Sequence, residues 1–404
     1  MRALILSIAA LSLAASSSAQ SGPFTVTIVP PVHGTLRLAP ALPADGKYPA
    51  GTVVTVTTTP DAGYALDSAW YSVPGRFGQM YSENMTSAFK VTIDRDKRIG
   101  ASFIEKAAVE DLVVTHDVVF AKPGVKPLKY DVYARKGSRN LPIVIIIHGG
   151  GWTANDEDIM RGLARELTKG GKFVVASLDY RWAGTADGDA TGNTMANLIE
   201  DVFGGIAHVM EHAAQYGGDP ARIGVTGDSA GGHLSAAAAL MPGMIGTRGF
   251  GKAPGVFEFL PSYLPKGKTA EQVRDEMVKA IKSAAPSYGV FGGSLLNPYS
   301  PEHAEDLAWK EAIAPLSHIP DAKVRAVPQF LTRGTNDRLI QDAAVKEFVD
   351  ALVKAGQRAE YIQVGGAGHA FFDWKPDEAT KATFAKYGVY YAAAMRAFFE
   401  STLY

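Results

Sequence analysis

The stretch from Ala221 to Leu240, ARIGVTGDSAGGHLSAAAAL, constrains this chain more than any other. A short apolar run from Arg222 to Thr226 breaks at Gly227-Asp228-Ser229-Ala230-Gly231, and an Ala-rich segment with apolar residues at helical spacing takes over. That pattern predicts strand, sharp turn and helix in succession. Glycines two residues either side of a serine let the backbone adopt a strained turn and let strand and helix pass close together. Ser229 is then left at the apex with its hydroxyl exposed. A G-x-S-x-G also arises by chance in a chain with 42 glycines, so its meaning depends on what surrounds it.

At the N-terminus, Arg2 precedes an uncharged apolar segment, Ala3 to Ala15, and then Ser16-Ser17-Ser18-Ala19-Gln20. One positive charge, an apolar core too short to span a bilayer stably and small residues suited to cleavage predict a signal peptide over residues 1–20. No later stretch approaches the roughly eighteen apolar residues of a membrane span. The expectation is therefore a secreted or periplasmic protein with no stable membrane insertion after signal removal. Cysteine is absent, which excludes disulfide stapling, a thiol nucleophile and cysteine-based metal sites together. With 40 basic and 41 acidic residues, nothing advertises nucleic acid or an anionic membrane as a partner.

Length points to two domains, and composition shifts near residue 106. Residues 24–105 carry period-2 runs at Phe24–Val29, Val53–Thr57 and Ala88–Ile93, separated by Gly, Pro and Asp, which predict short antiparallel strands and turns. The run Gly51-Thr52-Val53-Val54-Thr55-Val56, then Pro60-Asp61-Ala62-Gly63-Tyr64, Trp70 and Ile99-Gly100-Ala101-Ser102-Phe103, resembles the divergent B-repeat domain of internalin-like bacterial surface proteins. Here the module occurs once. Tyr64, Trp70 and Tyr71 suit either a carbohydrate-stacking platform or the core of a small β domain. The module reads as an accessory or spacer.

From Val113 the character changes. Val113–Phe120 and Leu128–Ala134 alternate like half-buried strands, whereas Leu141–Ile147 is a continuous β-branched run suited to burial on both faces of a sheet. Helical periodicity over Asp156–Lys169, an apolar strand at Phe173–Leu178 and an amphipathic helix over Thr194–Ala214 follow, and strand and helix alternate from there. This predicts an open, mostly parallel sheet with sites at the carboxyl ends of its strands. Ser229 falls at such an end. So does His148-Gly149-Gly150-Gly151-Trp152, whose consecutive glycines free main-chain N–H groups to meet a developing oxyanion. His148 reads as a residue that holds this loop by hydrogen bonding.

A serine hydroxyl needs a base, and imidazole suits that task near neutrality. His369 lies in Gly365-Gly366-Ala367-Gly368-His369-Ala370, just after a predicted strand at Glu360–Val364. His233 sits one helical turn past Ser229 and faces along the helix. His33, His116, His208, His212, His303 and His318 have no comparable placement. The base in turn needs a carboxylate to fix its tautomer. Asp337, in Arg333-Gly334-Thr335-Asn336-Asp337, follows the apolar run Val327–Leu331, whereas Asp342 reads as the N-cap of a helix over Ala343–Ala355. The order Ser229, Asp337, His369 suits this architecture.

With these motifs, residues from about 113 to 402 resemble an α/β-hydrolase of the hormone-sensitive-lipase-like type. H-G-G-G-W at 148–152, Asp179-Tyr180-Arg181 after a strand, G-D-S-A-G-G-H at 227–233 and G-A-G-H at 366–369 are most similar to bacterial secreted carbohydrate esterases, including feruloyl and acetylxylan esterases. The resemblance implies Ser229 as nucleophile, His369 as base and Asp337 as its orienter. It implies the N–H groups of Gly150, Gly151 and Ala230 as the oxyanion hole, no cofactor and no metal, and structural roles for Asp179, Arg181 and Asp201. The expected fold is thus an α/β-hydrolase over 106–404 preceded by a small all-β domain, acting on a small or polysaccharide-linked ester.

An insert of about 241–300 is expected to cap the cleft. It holds glycine-rich turns over Met241–Gly255, a sheet strand expected at Gly255–Leu260 and an amphipathic helix over Thr269–Ala284. Phe257, Phe259, Tyr263, Tyr288, Phe291 and Tyr299 suit either an aryl acyl group or packing of the cap. Trp152 is the candidate substrate contact, and Trp182 and Trp374 also lie near motif loops. A serine peptidase or formamidase on the same scaffold, or a surface-binding protein acting through residues 24–105, are the competing readings. The peptidase reading is weakened because no β-propeller precedes the catalytic part.

Overall fold

The computed structural model describes residues 22–75, 78–247, 258–292 and 307–404. The expected signal peptide, the glycine-rich turns beyond Thr247, Phe257 and Tyr299 lie outside them. The chain divides after Phe103 into two compact units.

Alternation of apolar and polar residues builds the first unit. Its strands are β1 (Pro23–Ile28), β2 (Gly34–Ala39), β3 (Lys47–Pro49), β4 (Thr52–Pro60), β5 (Tyr64–Gly75), β6 (Gly78–Asn84), β7 (Ala88–Ile93) and β8 (Lys97–Glu105). They form a five-stranded sheet in the order β3-β1-β8-β5-β6 and a three-stranded sheet in the order β2-β4-β7. Inward-facing Phe24, Val26, Val54, Val56, Val91 and Ile93 meet in one core. Trp70 is 2% exposed, and a Cβ on Gly100 would lie 2.3 Å from its ring. Tyr64 stacks on His33, and Tyr71 lies under the Lys97 ammonium. Trp70 is therefore a core residue, and the three rings make no common platform.

Buried strands order the second unit. A short helix, α1 (Lys106–Val109), leads to the antiparallel pair β9 (Leu112–Ala121) and β10 (Leu128–Arg135), then β11 (Leu141–Ile147), α2 (Arg161–Leu167), β12 (Val174–Leu178) and α3 (Met195–His212). After β13 (Gly218–Asp228) come α4 (Ala230–Leu240), α5 (Ala270–Ala280), β14 (Ile281–Ser287), α6 (Leu307–Ile313) and β15 (Gln329–Gly334). The chain closes with α7 (Asp342–Lys354), β16 (Ala359–Val364), α8 (Glu378–Thr383) and α9 (Val389–Leu403). The sheet order is β16-β15-β14-β13-β11-β12-β10-β9, with β11 to β16 parallel and β10 antiparallel to both its neighbours. Ile143 to Ile147 are almost wholly buried, each side chain worth roughly 1.5–3 kcal/mol of burial. At the outer edge, β9 carries a bulge near Asp117, which has φ +58° and an N–H held by the Asp131 carboxylate.

Two expectations are corrected. The sheet strand in the insert is Ile281–Ser287, not Gly255–Leu260. Of the described residues in the latter range, Phe259 makes only an isolated bridge to Ile245. The α5 helix starts on a Thr269–Gln272 capping box and ends at Ala280, so the residues expected to continue it form β14 instead. Small buried residues, Ser283, Ala284, Ala285 and Ser287, suit a strand wedged between β13 and β15, and Ser283 and Ser287 hydrogen-bond Thr402 and Tyr391 of α9. The second concerns Asp342, which is the first residue of α7 and not its cap. The cap is Gln341, while the Asp342 carboxylate accepts from Tyr361 and Gln363.

Arg181 and Asp201 form a buried ion pair joining the loop after β12 to α3. The Asp201 carboxylate accepts from Arg181 Nε (2.7 Å), Nη2 (2.8 Å) and the backbone N–H (3.0 Å). Removing one partner of such a pair strands a buried charge. Arg181→Ala should therefore lower the unfolding free energy by about 3–5 kcal/mol in urea titrations, whereas an exposed Lys386→Ala should change it by less than about 0.5 kcal/mol.

Candidate active site

The turn that carries Ser229 begins with crowded backbone. Ser229 has φ +51°, and its N–H donates to the C=O of Ser287 at the end of β14 (3.0 Å). A Cβ on Gly231 would lie 1.9 Å from the carbonyl oxygen of Ile147, and one on Gly227 would lie 2.4 Å from the same oxygen. Only glycine fits at either position, so the turn motif is a steric requirement of this packing.

Three loops then meet. His369 Nε2 is 2.9 Å from Ser229 Oγ, and His369 Nδ1 is 2.8 Å from Asp337 Oδ2. Asp337 Oδ1 accepts from the N–H groups of Leu339 (2.8 Å) and Ile340 (2.9 Å). Arg333 ties the same loop down by donating to the carbonyls of Asp337 and Ile340. Burial alone would push the Asp337 carboxyl up, but the His369 hydrogen bond and charge and the two amide donors outweigh it and hold it below the usual carboxylate range.

The glycine loop lies after β11. Gly150 and Gly151 have φ of +123° and +58°. Their N–H groups have no acceptor among the described residues, and Ala230 offers the first, unpaired N–H of α4. Gly149 N–H donates to Asp228 Oδ1 at 2.6 Å, in a space where a Cβ would approach Asp228 Oδ2 to 2.3 Å. Burial, with the nearby Asp373, pushes the Asp228 carboxyl well up. His148 is fully buried, stacks on Tyr180 and meets Asp179 Oδ1 at 3.2 Å. It holds the loop and lies away from the hydroxyl of Ser229.

Sequence reasoning gave Asp228 no role of its own and named Tyr288 only among the insert aromatics, not beside His369. Asp228 had a visible signal, an acidic residue inside an otherwise apolar turn. Tyr288 had none beyond being aromatic. Trp152, expected to touch substrate, is corrected by its position: it is 4% exposed, and its indole N–H donates to His233 Nδ1 in the core. Trp374 packs between Arg165 and Phe384, and Trp182 donates to the carbonyl of Asn155 beneath Lys126. Among the insert aromatics, Phe259, Tyr288 and Phe291 are buried and Tyr263 donates to Glu211, which favours packing at these positions. Among the described residues, His116, Asp131 and Asp158 could converge on a cation, but they lie toward β9 and β10, and Asp131 already accepts from His116, Tyr133 and the Asp117 N–H.

The chain is similar to several known proteins. Residues 130–249 match the BD-FAE family, and residues 24–107 match the divergent InlB B-repeat domain. Carboxylesterase NlhH of Mycobacterium tuberculosis is 40% identical over 121 residues, 30% of this chain and 34% of that protein. Esterase LipQ of the same organism is 27% identical over 276 residues, 64% of this chain and 57% of the relative. The chain thus spans about a third to just over half of the length of these relatives. The structure of Thermogutta terrifontis esterase 2 phosphoramylated by tabun superposes with a TM-score of 0.50 at 22% identity, covering 68% of this chain and 92% of that one. The second unit has the α/β-hydrolase fold, preceded by a small all-β unit.

Behind the glycine loop, His233 gives the site a pH limit. Its Nδ1 accepts from Trp152 and its Nε2–H donates to the carbonyl of Ile313 (2.8 Å), which requires the neutral ring. Burial pushes its pKa down to about 4. The folded value lies below the unfolded one of about 6.5, so this contribution is fully present above pH about 6.5 and is lost as pH falls toward 4. Urea unfolding should show up to about 3 kcal/mol of stability lost over that window through His233. His233→Gln should be weaker at pH 7 and lack that part of the acid slope.

Proposed function

We propose that this chain is an exported serine carboxylic-ester hydrolase that removes feruloyl, acetyl or similar acyl groups from polysaccharide or small esters. The observation that carries the reading is the continuous line from Asp337 through His369 to the Ser229 hydroxyl, beside the unengaged amides of Gly150, Gly151 and Ala230. His369 Nε2 takes the Ser229 proton as Oγ attacks the ester carbonyl carbon. The developing oxyanion faces the three N–H groups, and each donor is worth about 3 kcal/mol of barrier. Collapse breaks the bond to the alcohol, which leaves with the proton from His369. Water then clears the acyl-enzyme by the same route. Asp337 stays ionised throughout and keeps Nδ1–H pointing at itself.

The BD-FAE match and the carboxylesterase relatives support ester chemistry, and the apolar N-terminal segment supports export. The test is a hydrolysis panel of p-nitrophenyl acetate, p-nitrophenyl butyrate and methyl ferulate, with a peptide amide as control. Ser229→Ala and His369→Ala should each lower kcat by roughly 10⁴ to 10⁶. Asp337→Asn, which favours the wrong tautomer, should lower kcat by about 10⁴. Peptide cleavage without ester cleavage would replace this reading with the peptidase one. Deleting residues 24–105 should leave turnover of these soluble esters unchanged.

A further inference from the structure

Tyr288 sits against the triad imidazole, and the reaction above makes no use of it. It follows β14 with φ +34°, a conformation costly for a bulky side chain. Its N–H donates to the carbonyl of Thr332 on β15 (2.7 Å), and its side chain is fully buried. Its ring centroid is 4.8 Å from that of His369 at an interplanar angle of 60°, and Phe371 and Phe372 lie 5.4 and 5.3 Å away. The hydroxyl has no hydrogen-bond partner among the described residues. A left-handed backbone and an unpartnered buried hydroxyl both weaken a fold. The polar atom explains nothing here, and what remains is the ring.

The order of events shows why a ring is needed at this place. Before acylation two hydrogen bonds locate the imidazole, one to Asp337 and one to Ser229. Once Oγ is esterified it has no proton to share, so the second bond is lost and Nε2 must meet a water. The Asp337 bond alone leaves the ring free to swing about Nδ1. A packed aromatic neighbour removes that freedom. Deacylation itself is balanced by His369: Nε2 takes the proton of water as its oxygen attacks the acyl carbon, then returns it to Oγ as the acyl–Oγ bond breaks.

Resting on the esterase reading, we infer that the ring of Tyr288 is a positioning residue for His369 and acts chiefly on the deacylation step. The experiment compares Tyr288→Leu, Tyr288→Met and Tyr288→Phe with the unsubstituted chain, using p-nitrophenyl acetate in steady-state and burst kinetics, normalised to folded protein by circular dichroism. Leu and Met should lower kcat by about 10², the scale expected when a catalytic group is misplaced by about 1 Å. Because kcat/KM reports only acylation, it should fall by less than about 10-fold, so KM drops and the p-nitrophenolate burst approaches one per folded molecule. Tyr288→Phe keeps the ring and should restore kcat to within about 2-fold.

Equal losses in kcat and kcat/KM without a burst would show general loosening and overturn the inference. So would kcat within about 3-fold of wild type in the Leu and Met variants, or a Phe variant as damaged as Leu. If the Leu variant does not fold, the Met variant carries the comparison. Wild-type hydrolysis that survives Ser229→Ala would instead sink the esterase reading itself.

Discussion

The first turn of α4 lies so close to the end of β11 that no side chain fits between them. Gly227 and Gly231 both abut the carbonyl of Ile147, and Gly149 abuts the carboxylate of Asp228. These contacts bring the serine turn and the glycine loop into one unit. Ordering glycines is entropically unfavourable. The compensation lies below, in the continuous burial of Ile143 to Ile147 and of the whole of α4.

Two buried carboxylates near the serine behave oppositely, and donor supply explains the difference. Asp337 receives two amide N–H groups and the imidazole, enough to keep it ionised despite burial. Asp228 receives the Gly149 amide and has Asp373 nearby, so burial prevails and its pKa climbs. Their uses differ accordingly. An imidazole orienter must carry charge, whereas an acceptor for one amide works without a full one.

Much of this was legible in the sequence because the candidate site residues coincide with strong local signals. The turn around Ser229, the loop after Leu141–Ile147 and the loop carrying His369 each sit where a periodic apolar strand stops. Asp337 was separable from Asp342 because only the former follows such a strand directly. What stayed hidden was set by tertiary contact. β14 reads Ile-Lys-Ser-Ala-Ala-Pro-Ser; past Ile281 its residues have little strand character, and pairing with β13 and β15 makes them a strand. Trp152 looks like a cleft residue by position, yet a positive φ turns its indole inward onto His233. Tyr288 depends on a left-handed turn that no pattern announces.

The bulge on β9 has a consequence at the scale of many molecules. β9 is the outermost strand of the large sheet, and Val113 and Val119 are exposed along it. A straight edge of that kind would offer its free amides and carbonyls to the same strand of another copy, the first step toward a growing stack. The left-handed residue at Asp117 kinks the edge out of register midway and places a carboxylate there, ion-paired to Lys129. An incoming strand would lose its pairing halfway along and meet a charge, a geometry that disfavours edge-to-edge addition at this border.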